Sequence, residues 1–202
     1  MSKYVKFTHE RARAEVTPFD RFAELNACRR KLLQLRLIGV DSNGTSFGNL
    51  SVRDGATKNF YITGSATGAL LELTRADCTK VVAYNFERNW VKYQGSAVPS
   101  SESLTHAAIY RSNAMAGAVI HCHDSTLWTA ILDQAPTSSN AVGYGTPEMA
   151  YETMRLFRFT DIQTRKILLM AGHEGGIATF GRNLEEAFAV LMHERNGMCS
   201  LR

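Results

Sequence analysis

The spacing of apolar residues along the chain changes period several times, and each change marks an element. Phe22, Leu25, Leu32 and Leu33 recur at near-helical intervals, the signature of one buried helix face. Thr17-Pro18-Phe19-Asp20 gives that helix a start: a capping hydroxyl, a proline suited to the first helical position, and a carboxylate near the amide end. Gly39 is predicted to end it. Leu50 to Arg53, Asn59 to Thr63, Lys80 to Tyr84 and Trp90 to Tyr93 are short apolar runs separated by turn formers. They predict strands joined tightly, hence an antiparallel portion of sheet. Pro99-Ser100-Ser101 opens a helix that continues through Glu102, Leu104, His106, Ala108 and Tyr110. Ala116 to His123, Lys166 to Ala171 and Gly176 to Phe180 predict further strands. Thr146-Pro147-Glu148 starts another helix, and Asn183 caps a last one with Gly197 past its end. Residues 1–16 carry no period and read as an N-terminal arm. Helices at both ends with strands between them predict a three-layer α/β domain of mixed strand direction. No repeat or linker divides the chain, so 1–202 reads as one domain.

Composition narrows the class. Of 202 residues, 45% are hydrophobic and 21% charged, which excludes a disordered chain, a collagen-like repeat and a disulfide scaffold. The net charge is +4. Its densest basic run, Arg29-Arg30-Lys31 with Arg36, falls in the first helical segment and reads as a solvated helix face, so no nucleic-acid partner is expected. Cys28, Cys78, Cys122 and Cys199 are far apart, and Met1 to Glu15 is too polar for a signal peptide. No apolar run approaches the roughly 20 residues that span a bilayer. The expectation is a cytoplasmic protein with reduced thiols and no membrane partner.

Three stretches carry chemistry. In Val119-Ile120-His121-Cys122-His123, residues two apart on a strand share a face, so both imidazoles aim at one point. The pair reads either as two metal ligands or as hydrogen-bonded histidines at a strand end. His173, just beyond an apolar strand and before Glu174-Gly175-Gly176, adds a third imidazole. Three neutral histidines leave an open position for substrate, as in catalytic zinc sites. Ser100 and Ser101 at a helix start, with the small-residue loops Gly44 to Asn49 and Thr63 to Gly68, suit an anion such as phosphate. Glu102 lies in the predicted first turn, where it either complements the helix dipole or works chemically. His106 shares its face four residues on, for packing or support.

In order along the chain, Gly44 to Arg53, Ile62-Thr63 with its loop, Pro99-Ser100-Ser101-Glu102 with His106, His121-Cys122-His123, Tyr144-Gly145-Thr146 and His173 resemble the class II aldolase/adducin family. The resemblance spans roughly residues 20 to 195. It implies an α/β/α sandwich around a mixed, mostly antiparallel sheet, and a homotetramer with sites between subunits. It also implies Zn2+ on His121, His123 and His173, with Glu102 as acid/base. Asn49, Ser100, Ser101, Thr67 and Gly68 would hold the phosphate of a sugar phosphate substrate; Thr63-Gly64 is the other alignment of that loop. The implied reaction is cleavage of a ketose 1-phosphate, or a related hydroxy-carbonyl compound, through an enediolate.

The chain departs from the family's aldolases in three places. The segment after the H-x-H strand is short, the C-terminal tail is short, and His173 is followed by Glu174-Gly175 instead of directly by Gly. The resemblance therefore leaves the second proton donor unassigned. Epimerase, dehydratase and decarboxylase chemistry stand as alternatives. A non-catalytic adducin-like module is disfavoured by the three histidines.

Overall fold

The computed structural model describes residues 6–13 and 19–199. In chain order the elements are β1 (Thr8–Arg11), α1 (Phe22–Gln34), β2 (Gly39–Val40), β3 (Ser46–Phe47), β4 (Asn49–Arg53) and β5 (Phe60–Thr63). A 3-10 turn (Arg75–Asp77) leads into β6 (Cys78–Asn85), β7 (Trp90–Gln94), α2 (Ser103–Ser112), β8 (Ala118–His123) and α3 (Ser125–Ile131). Then follow α4 (Pro147–Phe159), α5 (Ile162–Arg165), β9 (Ile167–Leu169), β10 (Gly176–Gly181) and α6 (Leu184–Cys199).

Eight strands form one sheet in the order β1-β7-β6-β5-β4-β8-β10-β9. Only the β1–β7 pair is parallel; the other pairs are antiparallel. Each strand divides its side chains between two faces. Ala118, Ile120 and Cys122 of β8 pack with Leu25 and Leu32 of α1, Leu127 of α3 and Leu184 and Leu191 of α6. Val119 turns the other way, to Leu104 and Ala108 of α2, Leu156 of α4 and Ile162 of α5. The result is a three-layer α/β/α sandwich around a mixed, mostly antiparallel sheet, as expected. His121 and His123, in step with Val119, emerge on the α2 and α4 side.

Helix boundaries follow the sequence where a side chain caps. The Thr146 hydroxyl accepts from the Met149 amide and starts α4. Asn183 Oδ1 accepts from the Glu186 amide and starts α6. Elsewhere the backbone decides. α1 ends at Gln34 rather than at Gly39, because Arg36 takes the left-handed conformation (φ 57°) and turns the chain early. Gly197 lies inside α6, not past its end. Thr17 and Pro18 lie outside the described residues, and α1 begins after Arg21 with no side-chain cap bond.

Three further expectations change. The N-terminal arm contains a strand: β1 is exposed at all four positions, so it has no apolar period, and pairing with β7, with a Glu10–Lys92 ion pair across it, makes it. Arg29 is not solvated but 2% exposed. The strand expected from Lys166 to Ala171 shrinks to β9, since Lys166 (φ 57°) is the left-handed cap of α5.

Candidate metal centre and anion pocket

Register puts the site together. Asn49 of β4 pairs with His121 of β8, and His121 pairs with Ala178 of β10. One row of the sheet thus offers an amide and an imidazole on the same face. In the next row His123 pairs with Gly176. The turn between β9 and β10 folds His173 back over that glycine. A Cβ on Gly176 would lie 2.5 Å from His173 Cδ2, so the missing side chain is the slot that His173 occupies.

Ligand nitrogens of His121, His123 and His173 all lie within 4.8 Å of one another. His123 Nε2 and His173 Nε2 are 2.9 Å apart. His121 Nδ1 is 3.1 Å from the Ile177 carbonyl; a proton there leaves Nε2 as the free lone pair, the usual way a second hydrogen bond fixes a ligand's tautomer. Burial holds all three neutral. His121 lies well below the usual histidine value, and His123 and His173 are pushed down to about 4 and about 3. Neutral, converging imidazoles fit a divalent ion of the zinc type.

Glu102 is not in the first turn of α2 but at its N-cap position. It is 3% exposed. Burial raises its pKa to about 7, against the Thr105 hydroxyl bond and the Lys6 charge, which lower it. Oε2 accepts from Thr105 Oγ1 at 2.8 Å, while Oε1 is buried without a partner. Asn49 Oδ1 is likewise buried and unpartnered. Orphaned polar atoms of this kind are costly unless a ligand satisfies them.

His106 does not bond the Glu102 carboxyl. Its Nδ1 meets Ser51 Oγ at 2.7 Å, and Ser51 Oγ meets Tyr110 OH at 2.7 Å. Burial pushes His106 down to about 3, and its Nε2 is also unpartnered. It belongs to a buried polar chain behind the site.

The three histidines, Glu102 and Asn49 line a cavity of about 470 Å³. All nine expected site residues border it: Asn49, Thr67, Gly68, Ser100, Ser101, Glu102 and the three histidines. Gly64, from the other alignment of the loop, borders it too. Ala66 is left-handed (φ 62°), and among the described residues its amide makes no hydrogen bond. The Gly68 amide instead donates to Ser46 Oγ at 3.2 Å. Buried Arg29 holds the loop from behind, donating to the Thr67 carbonyl at 2.7 Å. A tight loop with a free amide at Ala66 and a guanidinium behind it suits an anion.

The family model described as "Class II Aldolase and Adducin N-terminal domain" matches residues 33–196. The chain belongs to this family. Solved structures of the same fold include an L-fuculose 1-phosphate aldolase, 24% identical with TM-score 0.69, over 92% of this chain and 85% of that one. A sugar-phosphate aldolase from Thermotoga maritima is 17% identical with TM-score 0.65, over 91% of this chain and 94% of that one. YgbL from Escherichia coli, a candidate aldolase, epimerase or decarboxylase, is 22% identical with TM-score 0.62, over 86% of this chain and 84% of that one. No curated protein sequence matches the chain.

Within this class II aldolase fold, several residues at the site escaped the sequence reading. Lys6 reaches Tyr144 from the N-terminal arm, with Nζ 3.2 Å from the ring centroid. Phe47 stands 5.2 Å from the His123 ring, centroid to centroid. Arg29 was visible only as part of a basic run. Lys6 and Arg29 carry no local signal, because each is brought in from a distant stretch of chain, whereas Phe47 lies within the Gly44 to Asn49 loop already singled out. Tyr144, visible as a motif, packs its ring 4.2 Å from that of His173.

Proposed function

We propose that this chain is a metal-dependent lyase that cleaves a ketose 1-phosphate or a related hydroxy-carbonyl compound, with Zn2+ on His121, His123 and His173. The observation that carries this reading is one cavity holding three converging neutral imidazoles beside a buried carboxyl with a free oxygen. A bound divalent ion would supply Lewis-acid stabilisation of the negative charge that develops on the substrate's oxygens when the C–C bond breaks.

The chain's own residues do the rest. Glu102, with a pKa of about 7, can both hold and release a proton near neutral pH, which suits an acid/base group. Its unpartnered Oε1 is the atom available for that exchange. Asn49 offers its amide to a substrate hydroxyl or anion. The loop at Ala66 and Thr67 and the Ser100 and Ser101 hydroxyls, which line the same cavity, would hold the substrate's phosphate. The L-fuculose 1-phosphate aldolase and the Thermotoga sugar-phosphate aldolase support the substrate class. The proposed lyase is a homotetramer with its sites between subunits. Three buried free thiols, Cys28, Cys78 and Cys122, suit a reducing cytoplasm, and no helix among the described residues is long and apolar enough to cross a membrane.

The test combines metal analysis with product analysis on fuculose 1-phosphate, rhamnulose 1-phosphate and ribulose 5-phosphate. One zinc per chain and aldehyde release support the lyase. Zinc with an epimerised, dehydrated or decarboxylated product moves the chain to the alternative that YgbL's description names or to a dehydratase. Glu102→Gln keeps the shape of the protonated acid, so zinc content stays and turnover falls by at least about 100-fold. Unchanged turnover removes Glu102 from the reaction.

A further inference from the structure

The N-terminal strand is anchored beside the site. Thr8 pairs with Trp90, the Thr8 amide donates to the Asn89 carbonyl at 2.9 Å, and Asn89 Nδ2 donates to the Lys6 carbonyl at 2.7 Å. Phe7 is 5% exposed and packs into the cluster that holds Phe60, Ile62 and Val81. The chain is therefore held at the Lys6 carbonyl and through the two residues that follow it. The Lys6 Cδ lies 3.4 Å from where a Cβ on Gly145 would stand. The ammonium ends 3.2 Å from the Tyr144 ring centroid.

Tyr144 in turn rests on His173, with ring centroids 4.2 Å apart and planes 34° from parallel. Both rings sit on segments outside helices and strands. Tyr144 makes no hydrogen bond among the described residues, so contacts at its ring hold it. Lys6 forms no ion pair among the described residues, leaving its charge to the aromatic face. A cation over a tyrosine ring is attracted by the ring quadrupole.

We propose that Lys6 is a positioning residue of the site: its ammonium holds Tyr144 against His173 and so fixes the third imidazole beside His121 and His123. The inference rests on reading the three histidines as a metal centre. It makes the N-terminal strand a working part of the site.

The experiment compares Lys6→Met, Lys6→Ala and Lys6→Arg in the full chain. Met keeps the apolar stem and removes the charge; Arg keeps the charge. The first readout is the rate at which cobalt-loaded protein gives up Co2+ to an external chelator. Met and Ala should release it about fivefold faster, the factor equivalent to one exposed cation–π contact, and Arg should restore the rate to within about twofold. The second readout is the imidazole NMR resonances of the metal-free protein. His173 should shift in the Met variant while His121 does not. Lys6→Met matching wild type in both readouts overturns the proposal, even where Lys6→Ala is unstable. Wild type that takes up no cobalt refutes the metal reading instead, and the His173 resonance still decides the role of Lys6.

Discussion

At the residue scale, the site depends as much on a missing side chain as on the ones present. His121 and His123 were legible because a strand's period of two dictates a shared face. His173 was legible as a candidate only; nothing local says that a turn returns it to His123. Gly176 makes that return possible. Gly176→Ala leaves a backbone conformation that alanine can adopt, but its Cβ meets the His173 ring. Zinc affinity should fall by about 10–100-fold, the usual cost of disturbing a ligand's support, while the far-ultraviolet circular dichroism stays unchanged. Wild-type affinity in the alanine variant would mean that the ring has room to spare. Glu102 shows the opposite limit. Its type and neighbours were visible, but its burial and raised pKa were not, because desolvation comes from the surrounding layers.

At the element scale, ends capped by side chains were readable and ends made by backbone turns were not. Thr146 and Asn183 cap where expected. Arg36 ends the turn after α1 by adopting a conformation that few non-glycine residues take, so Gly39 was the more reasonable guess. β1 was invisible for a different reason. All four of its residues are exposed, and a strand held by pairing and by polar contacts such as Glu10–Lys92 leaves no apolar alternation to read. Its anchor is the residue before it. Phe7→Ala removes a buried ring and should cost about 3–5 kcal/mol. Amide hydrogen exchange should speed up most in β1 and at Asn89. Exchange that rises evenly across the sheet would show that the strand unfolds only with the whole domain.

At the scale of the whole molecule, one three-layer fold buries four neutral histidines on the same side of its sheet, and this couples stability to pH. His106, His121, His123 and His173 all have lowered folded pKa values. Above about pH 6.5 both folded and unfolded chains keep these rings neutral, and no penalty arises. As pH falls below that, the unfolded chain takes up protons that the folded chain refuses, so stability is lost. Glu102 runs the other way: its folded pKa is raised to about 7, so its contribution is lost as pH rises from the ordinary carboxylate value toward 7. Four rings outweigh one carboxyl. Between pH 5 and 6 the metal-free protein should unfold with net uptake of about three protons per chain. The slope of its denaturation free energy against pH measures this. A flat profile would mean that the rings are already charged in the folded state. Added zinc should raise the whole curve through preferential binding to the folded form.

The sequence by itself determined the alternation that divides the sheet's faces, the ordered motifs of the family, and which residue types the site would use. Those follow from chain-local rules of period, capping and chemistry. Only the tertiary structure decided that the imidazole beyond β9 joins the other two and that Arg29 lies behind the anion loop. It also decided that a lysine just before the N-terminal strand reaches a tyrosine some 140 positions away. Contacts of that kind depend on strand order and register, which set distances across the sheet that no local pattern encodes.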